Sequence, residues 1–196
     1  MRSRVSSSHS AARSTAGRTW RHLRLPDRID ADVRVLFVGI NPGERSARLG
    51  HHYAGHSNRF WTLVNAARLV PAQVGWEDDW RMPAWGYGLT NLVARPTSSA
   101  AELGPRDYET GRRRLQATLR RVRPRIVALV GVTLYRVLFP GSPAAADRPV
   151  GLRDERLGDA AVFVLPNPSG RNAAYSYAAM LAAFRELRRL DRAARD

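Results

Sequence analysis

The chain contains no cysteine and no lysine. Without cysteine there are no disulfides, no thiolate zinc ligands, no cysteine nucleophile and no cysteine-held iron–sulfur cluster. A reducing compartment is compatible with this, and a cytoplasmic location is the expectation. Without lysine, no side-chain amine can form a Schiff base, and the N-terminal amine is the only one left. No apolar run reaches the roughly 18 residues that a membrane span needs. The N-terminus carries arginine and serine but no apolar segment of a secretory signal, so no membrane partner is expected. Acidic residues are scarce. There are 17, against 32 basic residues that are all arginine, for a formal net charge of +15. A GC-rich coding sequence accounts for arginine over lysine but not for the excess over acid. That excess favours a polyanionic partner, nucleic acid first and anionic lipid second.

A chain of 196 residues suits one α/β domain with a substantial core. Residues 1–24 hold six arginines and no acid, and read as a disordered basic arm. A single domain is expected over 25–196. From Val33 the pattern alternates. "VRVLFVGI" is a continuous apolar run, as in a strand covered on both faces. Ser57 or Asn58 can cap a helix to about Val70, with Phe60, Val64 and Ala67 on one face and Phe60 and Trp61 in the core. "GYGLTNLV" is a short strand. Residues 105–124 read as a helix with Tyr108, Leu115, Leu119 and Val122 inward and its arginines largely outward, ended by Pro124. "RIVALVG" is a buried strand, followed by a short helix through Val137. Residues 140–151 read as a surface loop, "DAAVFVLP" as the last strand, and 172–190 as a closing helix with Ala174, Tyr177, Leu181 and Phe184 at helical spacing. Strands alternating with helices imply a mostly parallel sheet with helices on both faces. Ligands in such sheets bind beyond the carboxyl ends of the strands.

Two loops stand at those ends, "GINPGERSA" and "PNPSGRN". Asn-Pro-Gly on its own is a turn signal, with Pro fixing φ and Gly taking positive φ. Three features add a functional reading. The turn follows a core strand. A second Asn-Pro turn, at Asn167–Pro168, follows another. The stretch between Asn41 and Asn58 is rich in His, Tyr, Gly and Arg, as a pocket wall would be.

"GINPGERSA", "YAGHSNRFW", "GLTNLVARPT" and "LPNPSGR", in that order, resemble the motifs of the mismatch-specific uracil-DNA glycosylases. These are bacterial relatives of thymine-DNA glycosylase within the uracil-DNA glycosylase superfamily. The resemblance covers roughly residues 33 to 190. It implies a three-layer α/β/α sandwich around a short, mostly parallel sheet. It also implies hydrolysis of the N-glycosidic bond of uracil, and of other damaged or mispaired bases as a wider substrate range, in double-stranded DNA, preferring G·U mispairs and leaving an abasic site. No cofactor and no metal are expected, and the protein should act as a monomer. By this resemblance Asn41 positions the attacking water, and an amide orients rather than acts as a strong base. Gly39, Ile40, Pro42, Gly43 and Ser46 would border the base, with Pro42 and Gly43 letting backbone approach it. Backbone N–H groups near Ile40 and Tyr53 would meet the uracil oxygens. Tyr53 would stack on the extruded base.

Asn58 matches the "NRFW" amide, although a helix cap or loop brace explains it equally. Asn91 either contacts DNA, supports the pocket or simply ends a strand. Some relatives carry an acid where this chain has Ala94, which leaves Asn41 as the one obvious catalytic group. The insertion loop maps to Asn167, Ser169, Gly170 and Arg171. Arg171, where leucine is frequent, either wedges into the vacated stack or contacts phosphate. His51, His52 and His56 have no carboxylate or cysteine to complete a metal site and read as loop residues near DNA. No GxSxG elbow, GxGxxG or Walker pattern is present. The alternative function is a mispair-binding protein of the same fold with negligible turnover.

Overall fold

A computed structural model describes residues 19–142 and 149–193. Five strands form one sheet: β1 (Val35–Gly39), β2 (Tyr87–Asn91), β3 (Ile126–Val130), β4 (Gly151–Leu157) and β5 (Ala160–Leu165). Their spatial order is β2-β1-β3-β5-β4. The pairs β1–β2, β1–β3 and β3–β5 are parallel, and β4 runs antiparallel to β5 at the edge. Every residue of β1, β2 and β3 is buried, as continuous apolar strands covered on both faces require.

The helices are α1 (Glu44–Leu49), α2 (Phe60–Ala66), α3 (Pro105–Val122), α4 (Val132–Leu138) and α5 (Tyr177–Ala193). Alternation along β1 divides the core. Val35 and Phe37 pack with Phe60, Val64, Phe184 and Leu187 from α2 and α5. Leu36 and Val38 pack with Leu115, Leu119, Leu134 and Tyr135 from α3 and α4. The result is three layers, as expected. In α3, Pro105 occupies the first turn and Asp107 accepts the Gly104 N–H at 3.0 Å, closing the N-terminus. Gly111 lets this helix close on the end of β2, since a Cβ there would lie 2.5 Å from the Leu92 carbonyl oxygen.

Several boundaries differ from the sequence expectation. The helix expected over 57–70 is confined to Phe60–Ala66, because Arg68 turns into the left-handed region at φ 54°. The closing helix starts at Tyr177, because the Asn172 side chain accepts the Ala174 N–H in a preceding turn. Of the residues expected inward, Phe184 is buried and Leu181 packs against the core, whereas Ala174 and Tyr177 are exposed and Met180, Ala183 and Leu187 complete the inner face. Helix α1, the 3-10 segment Trp76–Trp85 and strand β4 were not anticipated. The basic arm also ends earlier than residue 24. Thr19–His22 forms a 3-10 turn with Trp20 buried, and Arg21 pairs with Glu102 at 2.8 Å. Burying an indole outweighs the polarity of its neighbours. The rest of the expected arm, residues 1–18, lies outside the described residues.

Candidate active site

The carboxyl ends of β1, β2, β3 and β5 release the chain into loops that enclose a cavity of about 200 Å³. Its wall contains Gly39, Ile40, Asn41, Pro42, Gly43, Ser46, Tyr53, Asn58, Asn91, Asn167 and Arg171. Residues from four motifs, 132 positions apart at the extremes by number (Gly39 to Arg171), thus face one space. Ser169 instead borders an adjoining groove of about 480 Å³ that shares Asn167 and Arg171 with the cavity. Gly170 lies outside the wall, pressed onto Ser57, where a Cβ would fall 2.5 Å from the serine Cβ. Among the described residues no carboxylate lines the cavity.

Asn41 is held by its amide nitrogen. Nδ2 donates to Thr97 Oγ1 at 2.6 Å and lies 3.2 Å from the carbonyl oxygens of Arg95 and Pro42. The buried Thr97 hydroxyl gives its one proton to Ser99 O at 2.8 Å, so toward Asn41 it can only accept. This order of donation fixes which way the amide lies. It leaves Asn41 Oδ1 with no protein donor among the described residues and able to accept from a water. The acceptor loop is itself pinned. Arg95 pairs with Asp107 at 2.8 Å, and Glu102 accepts the N–H groups of Ser98 and Ser99.

Tyr53 sits at φ 54°, a conformation that costs a bulky residue energy and persists only when neighbours over-determine it. They do so on both sides. The preceding His52 N–H donates to Asp79 Oδ2 at 2.8 Å, and the following Ala54 N–H donates to Ser46 Oγ at 3.1 Å. One face of the tyrosine ring is stacked on Phe60 at 3.9 Å between centroids, and the ring borders the cavity. Its hydroxyl is buried with no hydrogen-bond partner, and burial raises its pKa above the ordinary tyrosine value. Gly39 explains itself here. A Cβ on it would fall 2.6 Å from Asn91 Oδ1 and 3.3 Å from the Tyr53 hydroxyl. Gly43 does not need positive φ, as the turn reading required. It is extended at φ −77° as the N-cap of α1, and a Cβ there would meet nothing within 4 Å. The room beside it is open space next to the cavity.

Asn58 does brace a helix start, its Oδ1 accepting the Phe60 N–H at 2.9 Å, while also lining the cavity. The 167–172 loop is internally tied. Asn167 Oδ1 accepts the Ser169 N–H at 3.0 Å, and Asn172 Nδ2 donates to Asn167 O at 2.7 Å. Pro168 O accepts the Arg59 N–H at 2.9 Å, tying the loop to the start of α2. The Arg171 side chain projects from this tied loop, exposed and without a protein partner among the described residues.

Sequence reasoning missed Thr97, which lies in a quoted motif but has no chemistry until its partner is known. It also gave no partners to two histidines. His52 is buried, with Nε2 3.0 Å from Pro26 O and its carbonyl accepting from Trp61 Nε1. Burial pushes its pKa down to about 4, so it is neutral near pH 7 and donates from Nε2. His51 Nδ1 lies 2.9 Å from Asp79 Oδ1. The fully buried Asp79 also takes Arg28 Nε at 3.0 Å, which joins the N-terminal segment, the 51–53 turn and the Trp76–Trp85 segment. These histidines brace the Tyr53 turn, and His52 also borders the cavity. Among the described residues no group of three or more His, Asp or Glu side chains is placed to hold a metal ion.

Residues 26–188 match the family model described as the Uracil DNA glycosylase superfamily. The chain is 37% identical over 159 residues to the G/U mismatch-specific uracil DNA glycosylase of Schizosaccharomyces pombe, a match covering 78% of this chain and 49% of that protein. The chain therefore spans about half the length of that relative. The solution NMR structure of a candidate uracil DNA glycosylase from Methanosarcina acetivorans superposes with a TM-score of 0.57 at 20% identity, covering 84% of this chain and 97% of that one. At this identity the likeness speaks for the fold. The family match spans five of the strands and four motif loops that build the cavity, and on it the chain belongs to the uracil DNA glycosylase superfamily.

Proposed function

We propose that the protein is a monofunctional DNA glycosylase that removes uracil from double-stranded DNA, with preference for uracil opposite guanine, and leaves an abasic site. The observation that carries this is Asn41, an amide whose nitrogen is fully engaged by the protein and whose oxygen is left for a water in a cavity bordered by Tyr53. A cavity of about 200 Å³ is smaller than the roughly 300–1,000 Å³ of drug-sized ligand sites, and suits a single flat base.

Cleavage of the N-glycosidic bond separates an oxocarbenium-like sugar from a uracil anion. Asn41 Oδ1 orients the water toward the sugar, and positioning is what an amide can supply. With no carboxylate in the wall, no strong base assists, so slow chemistry is expected. Tyr53 offers the ring face not covered by Phe60 as a platform for the extruded base. Backbone N–H groups around Ile40 and Tyr53 meet the departing anion. The absence of lysine favours hydrolysis over strand cleavage through a Schiff base.

The test is single-turnover incubation, with protein in excess, of duplexes bearing one uracil opposite guanine or adenine, followed by alkali to reveal abasic sites. Excision from the guanine-paired duplex first is the expected result. Tight binding with no abasic product would leave a mispair-binding protein instead.

A further inference from the structure

A larger cavity lies at the other end of the sheet, about 720 Å³ in volume. It opens beside the amino ends of β1 and β2, near Arg34 and Tyr87, between the chain that follows α2 and the last turns of α5. Four arginines line it: Arg34, Arg68, Arg188 and Arg192. Only Arg34 has an acidic partner among the described residues, with Nε 3.2 Å from Asp191 Oδ1. Its guanidinium also donates to Trp85 O at 2.9 Å and fills the space that a Cβ on Gly86 would need. That guanidinium is therefore fixed in place. Among the described residues Arg188 Nε is buried with no hydrogen-bond partner, a state that costs free energy until an acceptor arrives. Arg188 and Arg192 are four residues apart on α5 and share a face. The cavity thus concentrates positive charge that, beyond the Arg34–Asp191 pair, no acidic side chain among the described residues neutralises.

We propose that this cavity is a second anion site, which takes the backbone phosphates of a second nucleic-acid segment while a first occupies the catalytic end. Guanidinium groups match phosphate oxygens in shape and charge. The volume far exceeds one phosphate, and the fixed Arg34 and the α5 arginines border it from two sides, as successive phosphates of a strand require. The two sites are separated by the length of β1, roughly 16 Å for its five residues. A duplex lying across the carboxyl ends of the strands faces away from a cavity at their amino ends. Holding both segments would let the protein pass from one to the other without release. The catalytic end's use of DNA rests on the function proposed above. The second site is read out without catalysis.

The experiment uses the full chain and a labelled, uracil-free duplex bound at low salt, then chased with unlabelled uracil-free duplex. If a second segment binds before the first leaves, the dissociation rate rises several-fold as competitor is raised. In Arg68→Gln/Arg192→Gln the rate should become independent of competitor. Affinity for the first duplex, melting temperature and excision from a uracil duplex too short to bridge should stay within twofold or so. Each single substitution should lie between wild type and the pair. A competitor dependence that persists in the double variant overturns the proposal. So does a parallel loss of first-duplex affinity and short-duplex excision, which would make the cavity part of one continuous DNA face. A competitor-independent rate in wild type also overturns it, and direct titration with inorganic phosphate or a nucleoside monophosphate then tells whether a small anion is the occupant. Loss of excision on every substrate, with competitor dependence intact, would overturn the glycosylase reading alone.

Discussion

The Asn41 side-chain nitrogen donates to the Thr97 hydroxyl at 2.6 Å, and that hydroxyl donates onward to Ser99 O at 2.8 Å. The polarity of this short relay decides which atom of the Asn41 amide faces the cavity. With Thr97 Oγ1 acting as acceptor, Oδ1 is presented to water. Without it, the amide loses its strongest registration, and a misplaced water forfeits most of the benefit of positioning.

Asn41→Ala should therefore abolish excision while duplex binding stays within a few-fold, because phosphate contacts remain. Thr97→Val should slow single-turnover excision by on the order of 10- to 100-fold, also with little change in binding. Thr97→Ser keeps the hydroxyl and should restore most of the rate. Equal losses in the valine and serine variants would show that Thr97 matters for packing and not for amide orientation.

Gly39 and Asn91 are cross-strand partners in the β1–β2 ladder, and the asparagine amide occupies the space that a side chain on Gly39 would need. Gly39→Ala should destabilise the fold by about 1–3 kcal/mol, as overpacking in a dense region does. Asn91→Ala alone removes the obstruction, so the double variant should be more stable than Gly39→Ala. Chemical denaturation of the four proteins gives the coupling directly. Additive effects would mean that the two residues do not compete for the same space.

His52 supplies a stability-linked titration. Burial lowers its folded pKa from 6.5 to about 4, so between those values the unfolded chain binds a proton that the folded chain refuses. Stability is fully present above pH 6.5 and falls as pH drops through this window, by on the order of 3 kcal/mol at its lower end. His52→Gln keeps a donor toward Pro26 O but cannot take up the proton. Its stability should vary much less between pH 6.5 and 4. An unchanged slope in that variant would assign the acid sensitivity to other groups.

The parallel sheet and the long amphipathic helix α3 were legible because continuous apolar strands and a one-sided helix leave periodic traces. Strand β4 left none of that kind. Its sequence, GLRDERL, is charged because it is an edge strand with alternate residues in solvent. Trp20 was hidden among arginines and serines, and its burial depends on surfaces made by distant residues. At the site, the motif residues were legible through resemblance, and nearly all of them meet in one cavity. The relations that orient them were not. That Thr97 accepts from Asn41, or that Asp79 braces the Tyr53 turn through His51 and His52, depends on contacts between segments 27 to 56 residues apart.

Arg171 is the side chain whose role the duplex itself can report. It stands exposed on a loop that is tied by Asn167, Asn172 and the Pro168–Arg59 bond, so the side chain extends from a fixed base. If it fills the stack left by an extruded base, its contribution depends on how firmly that base was held. Extrusion costs a few kcal/mol and is cheapest at a mispair or in a single strand. Arg171→Ala should then slow excision most for uracil opposite adenine, less opposite guanine, and least in single-stranded DNA. A phosphate contact predicts another pattern: a similar loss in both duplexes that shrinks as salt rises, because the lost energy is counterion release. Single-turnover excision by wild type and variant on the three substrates at two salt concentrations separates the two. A uniform, salt-sensitive loss would leave Arg171 as an electrostatic contact and remove the wedge.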